Sequence, residues 1–435
     1  MTDTAPRPTL EAVAARAGVS RATVSRVVNG GDGVREPLVE RVRRAVEELG
    51  YVPNQAARSL VTRRHDAVAV VIAEPETRVF ADPFFGRQLR GISKELTTHD
   101  NQLVLLLTEG RDDHARVARY LAGGHVDGAL VFSLHLDDPL PGLIRGAGVP
   151  MVIGGRPGWG VVGRGGGFRA DRGAGEAARR NGGLRGDGGA GERGGEPRRD
   201  DGETRERRPG PTGNGSAPER HTGAYGGTPG GERGAGLYPG GSLYGDEAGR
   251  RSGGGTLYVD SDNRGGAQDA VRHLVALGRT RVAHITGPLD QTSAVDRLDG
   301  YLDVMGDTDP ALLAAGDFTP GGGEEAMREL LARRPGLDAV FAANDLSASG
   351  ALRVLREQGR RVPEDVAVIG FDDMLPIPEQ TDPPLTTVRQ DIEEMGRLMT
   401  RLLLHRLART PAATDPEVPL RSVVLPTRLI RRASA

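Results

Sequence analysis

Apolar residues recur along this chain with three different rhythms. Between residues 9 and 50 the spacing is that of helices. Leu10, Val13, Ala14 and Ala17 form one stripe, Val24, Val27 and Val28 a second, and Val39, Val42, Val46 and Leu49 a third. Residues 53–65 (PNQAARSLVTRRH) are polar and link this cluster to the rest of the chain. From residue 66 short apolar runs take over: AVAVVIAE (67–74), QLVLLL (102–107), VDGALVFS (126–133) and VPMVIGG (149–155). Helix-like segments at 85–98 and 112–123 alternate with them, and the alternation returns with RVAHITG (281–287), DAVFAAND (338–345) and DVAVIGFDD (365–373). Strands alternating with helices predict parallel, doubly wound sheets, and two sets with a gap between them predict two lobes.

Across the gap, residues 158–256, the rhythm is lost. About half of the chain's 65 glycines fall here, with few large apolar side chains. Such a stretch cannot bury enough apolar surface to offset an ordering entropy of about 1–2 kcal/mol per residue, and disorder is the expectation.

Composition narrows the class. With 435 residues, two or three folded units are expected. The net charge of −2 says nothing about nucleic acid, but residues 1–65 hold eleven Arg against seven acidic residues, a modest basic footprint. There is no cysteine, hence no disulfide and no thiolate metal site, and no metal or cofactor is expected. The first twenty residues lack the charged-then-apolar order of a signal peptide, and no stretch approaches the roughly 18–20 apolar residues of a membrane span, so the expected place is the cytoplasm. Catalytic patterns are missing too: there is no Walker A loop, no GxSxG elbow and no HExxH. His273 and His284 sit in apolar stretches where structural roles are expected, and the glycines at 163–167 lack the strand and helix of a phosphate loop. An enzyme is not expected.

The segment TLEAVAARAGVSRATVSRVVNG predicts a first helix over 10–16, a turn at Ala17-Gly18-Val19 and a second helix starting at Ser20. Gly18 suits a positive-φ turn, Ser20 can cap the second helix, and Val19 and Val24 can pack the pair together. Arg21, Ala22, Ser25 and Arg26 are left on the outer face, suited to the major groove. With REPLVERVRRAVEELGYVPNQAARSLVTRR after it, this stretch resembles the head of the LacI/GalR (lactose-repressor) family through to its hinge. The resemblance implies base reading by Arg21, Ala22 and Arg26, and phosphate or framework contacts for Thr9, Ser20, Thr23, Ser25 and Asn29. It also implies a hinge, NQAARSLVTRR, that folds on DNA. There Asn54 opens the segment, Ala57 allows close helix approach and Leu60 wedges into the central base step. Read without the resemblance, Leu60 is a linker leucine. One departure is Arg35, which stands where a capping serine is usual and predicts fraying of the third helix.

The stretches DPFFGRQLRGI (82–92), VDSDNRGGAQDAVRHLVALGRTRVAHITGPLDQTSAVDRLDGY (259–301), GDF (316–318), DAVFAANDLSASGALRVL (338–355), VPEDVAVIGFDD (362–373) and PPLTTVRQ (383–390) resemble the effector domain of the same family. The implied architecture is an N-terminal all-α helix-turn-helix head plus an α/β two-lobed sensor like the periplasmic binding proteins. The expected boundaries are 8–52 for the head, 53–65 for the hinge, 66–157 for the first lobe, 158–256 for the insert, 257–389 for the second lobe, and 390–435 for a return to the first lobe ending in a C-terminal strand. Ligands of doubly wound sheets lie at the carboxyl ends of strands. Arg297, Asn344 and Asp372 follow strands there and can bond paired hydroxyls. Phe318 is placed by the resemblance against a ligand ring, and Asp82, Ser293 and Gln390 join by the same mapping. Asn344 and Asp372 can instead be simple helix caps, whereas a lone cleft Arg297 lacks an obvious partner.

The implied function is a sequence-specific repressor. It binds near-palindromic double-stranded operator DNA as a homodimer, with operator affinity set by a small-molecule effector, expected to be a sugar. A purine-type corepressor-dependent regulator remains an alternative. So does a DNA-binding regulator whose sensor the insert has disabled. A shortened stretch after VDRLDGYLDVM loosens the expected placement of Phe318 against Arg297. The insert carries sixteen Arg against thirteen acidic residues, which weakens a reading of it as a nucleic-acid arm.

Overall fold

The computed structural model describes residues 8–29, 33–52, 64–158, 256–408 and 421–435. The hinge residues Asn54, Ala57 and Leu60 and the insert from 159 to 255 lie outside the described residues.

The head is three helices: α1 (Leu10–Ala17), α2 (Arg21–Val28) and α3 (Glu36–Leu49). The three apolar stripes meet in one small core around Val13, Ala17, Val24, Val42 and Ala45, with Val19 partly buried against it. Gly18 takes φ 63 in the turn, and the Arg41 guanidinium bonds the carbonyl oxygens of Ala17 and Gly18 behind it. Arg35 gives α3 no side-chain cap. The first turn nevertheless closes, because the amides of Leu38 and Val39 donate to the Arg35 carbonyl at 2.8 and 3.2 Å. Pro37 is tolerated there because its missing N–H would have been unpaired in any case.

Beyond the head lie two six-stranded sheets that share one strand order. The first contains β1 (Ala67–Ile72), β2 (Gln102–Leu107), β3 (Gly128–Phe132), β4 (Met151–Gly154), β5 (Leu257–Ser261) and β11 (Val423–Leu425), in the order β11-β5-β4-β3-β1-β2. The helices α4 (Glu76–Ala81), α5 (Pro83–Thr98), α6 (Arg111–Ala122) and α7 (Leu140–Gly146) alternate with its first four strands. The second sheet contains β6 (Val282–Thr286), β7 (Leu313–Ala315), β8 (Ala339–Ala342), β9 (Ala367–Asp372), β10 (Thr386–Arg389) and β12 (Arg428–Ile430), in the order β12-β10-β9-β8-β6-β7. β1, β3, β8 and β9 are buried along their whole length, which is why they read as unbroken apolar runs rather than alternating ones. In each sheet the chain order reverses between two central neighbours, β1 and β3 in the first and β6 and β8 in the second.

Two of the expected boundaries are corrected. Leu257–Ser261 pairs in parallel with β4, in the register Val152↔Leu257 to Gly154↔Val259, so it belongs to the first sheet rather than opening the second lobe. The chain changes lobe only afterwards, through α8 (Asn263–Ala276), whose Ala267, Val271 and Leu274 pack in the second lobe's core. In that lobe α9 (Thr292–Met305), α10 (Pro320–Arg333), α11 (Asp345–Glu357) and the short α12 (Ile377–Gln380) alternate with the strands. At the other end, α13 (Ile392–Leu407) and β11 do return to the first lobe. The last strand, β12, then crosses back and pairs antiparallel with β10.

Candidate functional site

In the head, α2 presents Arg21, Ala22 and Arg26 to solvent while Val24 is buried. Ser20 and Thr9 turn out to be caps: Ser20 Oγ accepts from the Thr23 amide at 3.1 Å, and Thr9 Oγ1 accepts from the Ala12 amide at 3.3 Å. Thr23 Oγ1 lies 2.9 Å from Ser20 Oγ, and Asn29 Nδ2 donates to Ser25 Oγ at 3.3 Å, so these polar side chains brace the two ends of α2. Arg21 Nε pairs with Glu11 Oε1 at 3.0 Å, both groups being exposed.

A cavity of about 970 Å³, measured out to open solvent, lies between the lobes. Asp82, Ser293, Arg297, Phe318, Asn344, Asp372 and Gln390 all line it. The second lobe delivers its share from beyond strand ends. Ser293 and Arg297 ride on α9 after β6, Phe318 follows β7, Asn344 follows β8, Asp372 ends β9 and Gln390 follows β10.

The expectation of a partnerless Arg297 is corrected. Its Nε donates to Asn263 Oδ1 at 3.0 Å and its Nη1 to the Ala343 carbonyl at 2.5 Å, while Nη2 stands 3.4 Å from Asp372 Oδ1. The guanidinium also lies 3.8 Å from the centroid of the Phe371 ring and 5.8 Å from that of Phe318. The shortened loop has therefore not separated Phe318 from Arg297. Phe318 adopts φ 67, held by Asn344 Nδ2 donating to its carbonyl at 2.9 Å. Asn344 also caps α11 through the Ser347 amide at 2.9 Å. Among the described residues Asp372 caps no helix; Gln390 Nε2 donates to its Oδ1 at 2.6 Å.

Asp82, Asp260 and Asp372 of this cavity are displaced from the ordinary behaviour of carboxyl groups. Burial pushes the Asp372 carboxyl up to about 7, against the pull of Arg297, and pushes Asp260 up to about 6. Asp82 is also raised by burial, although its Oδ1 accepts from the Phe84 amide.

The sequence reading missed the first lobe's contribution. Glu74 and Arg78 follow β1, Ser133 and His135 follow β3, Arg156 follows β4, Asp260 is next to last in β5 and Asn263 follows that strand. The rule that pointed to Arg297, Asn344 and Asp372 points equally to these, since they too lie at carboxyl ends of strands. Most of the first-lobe ties fall on one segment of the second. Gln291 Nε2 donates to Glu74 Oε1 at 2.7 Å, and His135 Nδ1 stands 2.9 Å from Asp290 Oδ2. Arg156 Nη2 reaches Asp296 Oδ1 at 2.5 Å, while the Thr292 hydroxyl donates to the Arg156 carbonyl at 2.7 Å. His135 is raised from its usual value chiefly by its hydrogen bond to Asp290.

His284, expected to be structural, is fully buried and stacks on Tyr301 and Phe341, and its Nδ1 donates to the Phe341 carbonyl oxygen at 2.8 Å. Burial lowers it to about 4, so it is neutral at physiological pH.

Comparison with known proteins agrees with this anatomy. Residues 9–54 match the bacterial regulatory proteins of the lacI family, and residues 271–435 match the periplasmic binding protein-like domain. The transcriptional regulator CelR of Thermobifida fusca is 40% identical over 432 residues, covering 98% of each chain. The ribose operon repressor of Escherichia coli K12 is 27% identical, covering 98% of this chain and 99% of its own. Among solved structures, a CelR–cellobiose complex superposes with a TM-score of 0.60 at 38% identity, covering 99% of this chain and 100% of that one. The lac repressor dimer bound to operator and the anti-inducer ONPF gives 0.67 at 22% identity with 99% of both chains covered, a likeness of fold. The chain belongs to the LacI family of bacterial regulatory proteins and is a DNA-binding transcriptional regulator with a two-lobed sensor.

Proposed function

We propose that this protein is a cytoplasmic repressor that holds a near-palindromic operator as a homodimer and releases it when a neutral sugar enters the cleft. The CelR structure that it resembles carries cellobiose, which makes cellobiose the first effector to test. In this reading Arg21, Ala22 and Arg26 read bases, while Thr9, Ser20, Thr23, Ser25 and Asn29 set the helix against the backbone. Asp82, Ser293, Arg297, Phe318, Asn344, Asp372 and Gln390 serve the ligand.

The observation that supports a neutral ligand is charge pairing. Among the described residues, each cationic side chain lining the cavity already faces an acidic group: Arg78 faces Glu74, His135 faces Asp290, Arg156 faces Asp296, and Arg297 faces Asp372, which completes its pairing once ionised above about 7. A phosphorylated sugar would find no spare cation among them and would meet Asp82, Asp260 and Asp372 as well. Hydroxyl groups suit the remaining mixture of amides and carboxylates, which offers both donors and acceptors.

Operator binding by the purified protein, with DNA from its own upstream region, tests this. Release by cellobiose or another neutral sugar, and none by the corresponding sugar phosphates, is the expected result. Tight binding that no neutral sugar alters would overturn the effector assignment, and tighter binding on ligand addition would reverse the sign of the switch.

A further inference from the structure

Nearly all the buried polar groups that line the cavity are hydrogen-bonded within the protein. Among the described residues, the lining side chains with a buried unpartnered polar atom are Arg78, at Nε, and Gln88, at Oε1. Arg78 already spends its charge on Glu74 at 2.9 Å. Gln88 is different. It is 1% exposed, and its Nε2 points at two thioethers, Met395 Sδ at 3.4 Å and Met399 Sδ at 3.3 Å. Thioether sulfur is a weak acceptor. Exchanging the amide oxygen and nitrogen changes nothing in this respect: one atom would still face sulfur and the other would still lack a partner.

The surroundings make the residue conspicuous. Phe85, Phe132, Ile153 and Met395 line the cavity beside it, an apolar wall with one amide set into it. Leu or Met would fill such a place without leaving a buried polar atom unmet. Nor is the side chain free to seek a partner elsewhere. Gln88 lies on α5, which crosses α13 in backbone contact. A Cβ on Gly396 would overlap the Gln88 carbonyl oxygen, and a Cβ on Gly91 would overlap that of Glu393. This glycine crossing fixes the Gln88 backbone beside the two methionines.

We propose that Gln88 is a specificity-determining residue of the effector site, taking a hydroxyl of the sugar with its side-chain amide at the first lobe's wall. The apolar collar receives the C–H face of the same ring, while Arg297, Asp372 and Gln390 serve the ligand from the second lobe. The proposal rests on the neutral-sugar reading above. It adds a residue that no strand-end rule reaches, because Gln88 stands in the middle of a helix.

The test is calorimetric titration of the full-length protein, wild type and Gln88→Leu, with cellobiose and with its monodeoxy analogues. Gln88→Leu should bind cellobiose about tenfold more weakly, the loss of one hydrogen bond. It should also stop discriminating against the one deoxy analogue that lacks the hydroxyl read by Gln88, while its thermal midpoint without ligand equals or exceeds that of the wild type. Wild-type affinity in Gln88→Leu, or equal weakening for every analogue with discrimination kept, would overturn the role of Gln88 alone. A wild-type protein that binds cellobiose and other neutral disaccharides not at all would overturn the sugar reading and this role together. Should Gln88→Leu not unfold cooperatively, Gln88→Met keeps the volume beside the methionines and carries the same expectations.

Discussion

Glu74 Oε1 accepts a hydrogen bond from Gln291 Nε2 at 2.7 Å, and that bond joins equivalent points of the two lobes. Glu74 follows β1 and Gln291 follows β6, the strands that hold the same place in two sheets of the same order. Glu74 is 2% exposed and also accepts from Ser133 Oγ at 2.6 Å and Arg78 Nη1 at 2.9 Å. Gln291 in turn is the residue from which α9 departs, the helix that carries Ser293 and Arg297. Any movement of one lobe against the other must therefore break or keep a bond made to a buried carboxylate beside the cavity.

Gln291→Ala removes this tie without stranding a charge, since Arg78 and Ser133 remain on Glu74. Hydrogen bonds to charged groups contribute about 1.5–3 kcal/mol. The effector concentration for half-release of operator should rise roughly tenfold or more, with cooperative unfolding retained. Titration of operator release alongside a thermal melt checks both, and an unchanged midpoint would show that the tie plays no part in the switch.

Asp372 makes stability depend on pH. Its carboxyl stays protonated up to about 7 in the folded protein but loses its proton near 3.8 when unfolded. Folding therefore takes up a proton between these values, and the stability present at low pH is lost as pH rises through about 7. Asp260, raised to about 6, acts in the same direction. Thermal midpoints should decline over this window in the wild type and decline less in Asp372→Asn. A sugar whose hydroxyls donate to the ionised carboxylate should conversely bind more tightly as pH rises toward 8, and a flat affinity profile would argue that Asp372 does not receive ligand hydroxyls.

Gly91→Ala should separate α5 from α13, because its Cβ would strike the Glu393 carbonyl. Overpacking of this kind costs about 1–3 kcal/mol. Urea denaturation should show the loss, with effector affinity falling as the wall around Gln88 moves. Normal stability would mean that the helices slide apart at little cost.

Arg26→Ala and Arg21→Ala test the head. Each should weaken operator binding by roughly 1–3 kcal/mol and relax preference at one base pair per half-site. Arg21 must leave Glu11 to reach a base. Binding measured across operators changed one base pair at a time checks this, and a uniform loss across all of them would reassign that arginine to the phosphate backbone.

Much of this architecture was legible in the residues themselves. The unbroken apolar runs AVAVVI and GALVF read as strands, and the helix-spaced stripes of the head as helices with one apolar face each, because the period of apolar positions is a local property of the chain. Arg297, Asn344 and Asp372 came from the same logic, since strand ends are visible in sequence, whereas Phe318, Ser293 and Gln390 came from the family resemblance. The fold alone decided the relations between distant segments. Leu257–Ser261 joins the first sheet because β4 offers it an open edge, a fact of pairing that no local pattern records. Arg297 acquires Asn263, Ala343 and Asp372 as partners only when three strands converge. Gln88 looks like an ordinary helix residue until α13 is laid across it, for burial depends on what packs against a side chain and not on the side chain itself.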